Sequence, residues 1–171
     1  LGWHVGGVNA WALAIALAAA GGLLPEAWLS RKARARVGAI DRALPDALDL
    51  LTACVEAGLA LDAAIANVAR RPGKATQVLN AELARYLREL NMGVSRADAM
   101  RALATRAGSE DLRGVVVALL QGDALGLGVA PVLRAQARHL RLKRKQRAEE
   151  RAMRAPVLIL FPLLFGLFPA I

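Results

Sequence analysis

Residues 44–65 read LPDALDLLTACVEAGLALDAAI: one apolar helix face, a glycine, and the start of a second face. Leu44, Leu48, Leu51 and Val55 recur at spacings of three and four, the period of an α-helix buried along one side. Pro45 fits the first turn of such a helix, where its missing N–H costs nothing, and Gly58 fits the turn that ends it. Leu61, Ile65 and Val68 form a shorter second stripe that must stop before Pro72 and Gly73. Two helices joined by a glycine turn imply an antiparallel hairpin.

The pattern continues toward the C-terminus without alternating segments, so no strand is expected. Leu79, Leu83, Leu87 and Leu90 predict a third helix, closed near Asn91 and Gly93. Ser95 with Asp98 resembles a capping box that opens a fourth helix carrying Met100 and Leu103 up to Gly108. Ser109 caps a fifth, with Glu110 and Asp111 placed against its N-terminal dipole and Leu112, Val116, Leu119 and Leu120 on its apolar face. Gly126 and Gly128 end that helix, and a sixth runs from near Val129 through Leu133, Ala137 and Leu140 toward Pro156. The expected fold is all-α, a six-helix antiparallel bundle with structural turns at Gly58, Gly93, Gly126 and Gly128.

Outward from the bundle the composition changes. Residues 1–25 and 155–171 hold no charged side chain, and the 23 Lys and Arg and 14 Asp and Glu all lie between them. Residues 5–24, VGGVNAWALAIALAAAGGLL, are long enough for a membrane-spanning helix and are bracketed by Trp3 and Trp28. A cleaved signal peptide would carry its positive charge ahead of the apolar run, whereas Arg31, Lys32, Arg34 and Arg36 follow it. The second run, APVLILFPLLFGLFPAI, is slightly short for a span and is expected to continue past Ile171. It is preceded by Arg138, Arg141, Lys143, Arg144, Lys145, Arg147, Arg151 and Arg154. Both basic edges belong on the cytoplasmic side by the positive-inside rule. The expected organisation is a transmembrane segment over 1–28, a basic juxtamembrane linker over 29–39, a cytoplasmic helical domain over 40–154, and a transmembrane segment over 155–171.

A net charge of +9 points to an anionic partner, and the position of the basic run makes the membrane surface the first choice. Duplex nucleic acid is the alternative, since phosphate neutralisation needs only clustered Lys and Arg. Base stacking is poorly supported, because Tyr86 is the sole tyrosine and no phenylalanine precedes Phe161.

The usual catalytic constellations are missing. Gly73-Lys74 is followed by Ala75, so no phosphate cradle with a magnesium-binding hydroxyl forms. His4 and His139 cannot assemble a zinc site or a triad, and Cys54, the single cysteine, reads as a buried small hydrophobe that cannot form an internal disulfide. Glu56, Asp62, Glu82, Glu89, Asp98 and Asp123 fall near helix ends or on polar faces, as solvated groups or arginine partners; the other reading is a divalent-cation site between helices. No enzyme activity, cofactor or small-molecule substrate is expected.

Leu44 to Leu51 (LPDALDLL), Val55 to Leu59 (VEAGL) and Leu61 to Ala64 (LDAA) resemble the opening of the type II secretion system F domain family. Gly93-Val94-Ser95, Gly126 and Gly128 before Val132-Leu133, and Gln146 to Glu150 (QRAEE) leading into Ala155-Pro156 and Phe161-Pro162 are similar to its TadC branch, the platform proteins of Flp (Tad) pilus assembly. Gly122-Asp123 departs from the small residue and Glu usual in that branch. The resemblance implies an inner-membrane platform, homo- or hetero-oligomeric. Its implied partners are a TadB-like sister protein, a cytoplasmic secretion ATPase and pilin subunits. The other reading left open is a membrane-tethered regulatory or nucleic-acid-binding module using the basic stretch.

Overall fold

In the computed structural model of the chain, residues 5–167 are described, with side chains described for residues 28–150. Six helices follow one another: α1 Val5–Glu56, α2 Leu61–Ala69, α3 Gln77–Asn91, α4 Arg96–Ala107, α5 Glu110–Ala124 and α6 Val129–Leu167. No strand occurs among the described residues. Arg151, Arg154 and the two apolar runs, apart from Trp28, lie outside the residues whose side chains are described. Among the described residues no helix is long and apolar enough to cross a membrane.

One expectation is corrected. Pro45 stands in the interior of α1, not in a first turn, and residues 29–39 are helical and belong to the same element. The preceding Arg- and Ala-rich sequence is strongly helix-forming, which carries the helix back past the point where the apolar stripe begins. Proline leaves the carbonyl four residues back without its N–H partner. Next to that Asp41 carbonyl, Arg144 of α6 donates its guanidinium N–H to the Arg42 carbonyl, so a neighbouring helix supplies a donor where the ladder is interrupted.

The stripes read from the sequence point inward as expected. Leu44, Leu48 and Leu51 of α1 meet Leu61, Ile65 and Val68 of α2, Leu79 and Leu83 of α3, Met100 and Leu103 of α4, Leu112 and Val116 of α5, and Leu133 and Leu140 of α6 in one core. Leu87, Leu90, Leu119, Leu120 and Cys54 pack against this core half-buried. The helices run alternately up and down, and α6 returns antiparallel along α1. Residues 28–36 and 145–150 therefore leave the bundle at one end, here the proximal end, where the α2–α3 and α4–α5 turns also lie. The α1–α2, α3–α4 and α5–α6 turns make the distal end.

Gly58, Gly93 and Gly126 close the three distal turns with left-handed backbone. Gly128 does not share that conformation; it sits in the loop just before α6. A left-handed residue also stands at Gly108 (φ +64°), where a Cβ would lie 3.5 Å from Val37 Cγ2, so the α4–α5 corner is pressed against α1. Ser109 then caps α5 by accepting from the Leu112 N–H (3.1 Å) while donating to Asp41 of α1.

Tyr86 is fully buried, which its place among charged neighbours on α3 did not suggest. Its hydroxyl donates to Asp62 Oδ1 (2.9 Å), and Arg96 donates to Asp62 Oδ2 (2.7 Å), so one carboxylate joins α2, α3 and the start of α4. Burial, and then the Asp62 hydrogen bond, push the phenol pKa well above its ordinary value of 10.0. A raised folded pKa adds stability that is complete below the unfolded value and is lost as pH climbs through the folded one. Spectrophotometric titration of this sole tyrosine should thus show no ionisation around pH 10 while the protein remains helical, with tyrosinate emerging together with alkaline unfolding. Ordinary titration near pH 10 in the helical state would contradict the Asp62–Tyr86 bond.

Candidate functional site

The basic stretch that approaches the second apolar run is drawn partly into the bundle. Arg141 pairs with Asp49 of α1, and Arg144 approaches Asp46 (4.0 Å) as well as the Arg42 carbonyl. Lys143 (2.5 Å) and Arg147 (3.9 Å) converge on Asp111 in the first turn of α5, whose side chain is only 10% exposed. Lys145 pairs along its own helix with Glu149 (3.7 Å), and Arg138 is exposed. Arg134, outside the expected cluster, joins Glu56.

These contacts form a seam with a register. From Arg134 to Arg141 is a step of seven along α6, and from Glu56 to Asp49 is a step of seven back along α1, so α1 and α6 pair as antiparallel helices with a heptad repeat. Sequence reasoning placed these cations at the membrane surface from their position before the apolar run and did not see the acidic partners on α1 and α5. The matched seven-residue steps were the available signal. The Asp49 hydrogen bond is the leading cause holding the Arg141 guanidinium above its usual pKa.

Between α1, the first turn of α5 and α6 lies a cleft of about 330 Å³ lined by Asp41, Arg42, Asp111, Lys143, Arg144 and Arg147, among others. Its cations face carboxylates across the gap, which suits a salt-bridged joint better than an open anion pocket. Among the described residues no group of His, Cys, Asp and Glu is gathered to hold a metal ion. At the α5–α6 contact Gly122 is buried, and a Cβ there would fall 2.8 Å from Val132 Cγ2, so the glycine lets the two helices approach closely.

The acidic residues named from the sequence mostly find arginines. Glu56 joins Arg134; Asp62 joins Arg96; Asp98 joins Arg101 (2.9 Å); Asp123 is exposed. Glu82 is the deepest, 5% exposed, accepting from Arg36 of α1 and Arg106 of α4. Arg106 also reaches Glu89 (2.8 Å), while its Nη2 and Glu89 Oε2 are buried without a hydrogen-bond partner. This cluster ties α1, α3 and α4 together beneath the proximal end.

The two ends of the bundle differ in chemistry. The three distal turns carry exposed apolar side chains: Leu59, Met92 and Val94, and Leu125 and Leu127, of which Met92 and Leu125 are each 73% exposed. The proximal end is basic, with Arg31, Lys32 and Arg34 exposed and Lys32 Nζ stacked 4.8 Å over the ring of the exposed Trp28. An exposed tryptophan beside cations is the side-chain pairing found where helices enter a lipid interface.

A search of curated proteins and of solved structures gives no match to the chain. The family described as Type II secretion system (T2SS), protein F, matches residues 47–171. Its members are membrane platform proteins of type II secretion and type IV pilus-like assembly. The match runs from the last turns of α1 through every later helix, well over half of the sequence, and the chain belongs to the type II secretion system protein F family.

Proposed function

We propose that this chain is an inner-membrane platform subunit of a Flp/Tad pilus or type II secretion-like machine, passing the motion of a cytoplasmic secretion ATPase to pilin subunits in the membrane. The observation that carries this reading is the shared exit of α1 and α6 at the proximal end, fixed by the Arg134–Glu56 and Arg141–Asp49 pairs. Two charge-free runs beyond that end, each with basic residues on its inner edge, can then enter one bilayer side by side. Residues 1–28 and 155–171 are the membrane segments, 29–39 the juxtamembrane part of α1, and 40–154 the cytoplasmic domain. Arg151 and Arg154 serve the anionic leaflet, Arg138 stands exposed between the two ion pairs toward the distal end, and Arg141, Lys143, Arg144 and Arg147 set the register of α6 on the bundle. Because those four are engaged internally, a nucleic-acid module is the weaker reading.

The distal turns, farthest from the membrane, dock the ATPase through Leu59, Met92, Val94, Leu125 and Leu127, and a TadB-like sister protein completes the platform. Full-length chain in detergent should retain the secretion ATPase in a pull-down, and Met92→Asp with Leu125→Asp should reduce retention at least tenfold with unchanged helix content. Lack of retention by the unaltered chain at low salt would overturn the assignment.

A further inference from the structure

The α2–α3 turn reads Arg70-Arg71-Pro72-Gly73-Lys74, with all three cations exposed. From Ala63 to Ala81 the sequence holds no acidic residue, unlike the α6 stretch, so these charges meet no local carboxylate. The turn is nonetheless a built structure. Asn80, 9% exposed, donates to the Arg71 carbonyl (2.8 Å), and Thr76 donates through both its hydroxyl and its backbone N–H to the Gly73 carbonyl (3.2 Å each). An open hollow of about 510 Å³ lies under it, lined by Arg71, Pro72, Gly73, Lys74, Gln77 and Asn80 with Ala69.

The height of the turn gives it meaning. Helices α1 and α3 run in the same direction, and Arg36 reaches Glu82 across them. Gln77 lies five residues before Glu82, roughly 7 Å nearer the proximal end at 1.5 Å per residue, which sets the turn at the end of the bundle that also carries Arg31, Lys32 and Trp28. Three cations on a hydrogen-bonded turn thus stand at the same end of the bundle as an exposed tryptophan and the basic edge of α1. We propose that Arg70, Arg71 and Lys74 form a separate contact with the anionic phospholipid headgroups of the leaflet facing the bundle. They hold the proximal face flat against the bilayer on the side of the bundle away from α6. The proposal rests on the platform reading above, and adds to it a surface that neither apolar run nor the α6 stretch provides.

Each basic side chain at an anionic surface is worth about fivefold in the docking equilibrium, so the three together give on the order of a hundredfold at low salt. The test uses the full chain in lipid nanodiscs, with a fluorophore at Ala75→Cys in a Cys54→Ser background and a quencher on the lipid headgroups. Quenching should be several-fold stronger in phosphatidylglycerol discs than in phosphatidylcholine discs, fall with added salt, and collapse in R70E/R71E/K74E. The neutral R70Q/R71Q/K74Q chain, with the same helix content, should show the same loss. Equal quenching in the two lipids, no response to either triple variant, or stronger protection of the label by soluble duplex DNA than by the anionic disc would each overturn the proposal. A second label at Val94→Cys separates the two readings: it should stay unquenched throughout. Failure to enter the discs, or quenching at residue 94 instead of 75, removes the platform orientation and this contact together. Loss confined to the residue 75 label removes this contact alone.

Discussion

Replacing Glu82 by alanine should lower the stability of the helical domain by about 3 kcal/mol, because it leaves a largely buried guanidinium short of its counter-charge. Arg106 is 20% exposed and divides its donors between Glu82 and Glu89, with Nη2 already buried and unbonded. With Glu82 gone, that side chain keeps one carboxylate and cannot rotate to solvent without leaving α3. Arg36 is different: at 53% exposed it can turn outward and rehydrate. The cost therefore falls on the α3–α4 contact, and Arg36→Ala should cost well under half as much. Thermal unfolding of the full chain in detergent, followed by circular dichroism, should show a drop on the order of 10 °C for Glu82→Ala. A change no larger than that of Arg113→Ala, which breaks an exposed pair with Glu110, would show that the Glu82 cluster is not a structural joint.

The contrast between Glu82 and the helix pattern shows what a sequence discloses. Periodicity is local, so the stripes Leu61-Ile65-Val68 and Leu79-Leu83 could be assigned to buried faces without knowing what they face. Caps are local too: Ser95 accepts from the Asp98 N–H (3.2 Å) and Ser109 from the Leu112 N–H, as their spacing implied. Asp98 did more than the motif asked. It accepts from the Ser95 hydroxyl (2.6 Å) and pairs with Arg101, and the Ser95 bond is the leading cause of its lowered pKa.

What stayed hidden depends on partners distant along the chain. Burial of Tyr86 requires Asp62 and Arg96 to arrive from two other helices, and burial of Glu82 requires Arg36 and Arg106. The start of α1 was hidden for another reason. Pro45 marks a helix N-terminus in most local contexts, and the donor from Arg144 that accompanies its place within α1 lies far along the chain. The acidic partners of the basic stretch before residue 155 were hidden in the same way, since Asp49 and Asp111 lie on other helices.

The seam between α1 and α6 looks electrostatic, yet the second large effect should come from its apolar part. Leu133→Ala is expected to cost about 3 kcal/mol, since a buried leucine truncated to alanine loses its transfer energy and leaves a cavity. Leu133 is fully buried, and beyond it the described part of α6 buries only Ala137 and Leu140, so there is little other apolar surface to hold the helix in place. A void of about 40 Å³ already borders Leu133 alongside Leu48 and Val116, and truncation would enlarge it. The pair of Arg134 with Glu56 is 57% and 41% exposed and, like other surface pairs, contributes about 0–1 kcal/mol. The ion pairs fix the register of α6 and the leucine fixes its attachment. Amide hydrogen exchange on the full chain should therefore rise on the order of a hundredfold over residues 129–140 in Leu133→Ala and less than about tenfold in Arg134→Ala. Protection in α3 and α4 should change far less in both, because α3 and α4 are tied to α1 through Glu82 and to α2 through Asp62, and not through α6. An arginine variant that loosens α6 as much as the leucine variant would mean that charge, not burial, holds α6 to the bundle.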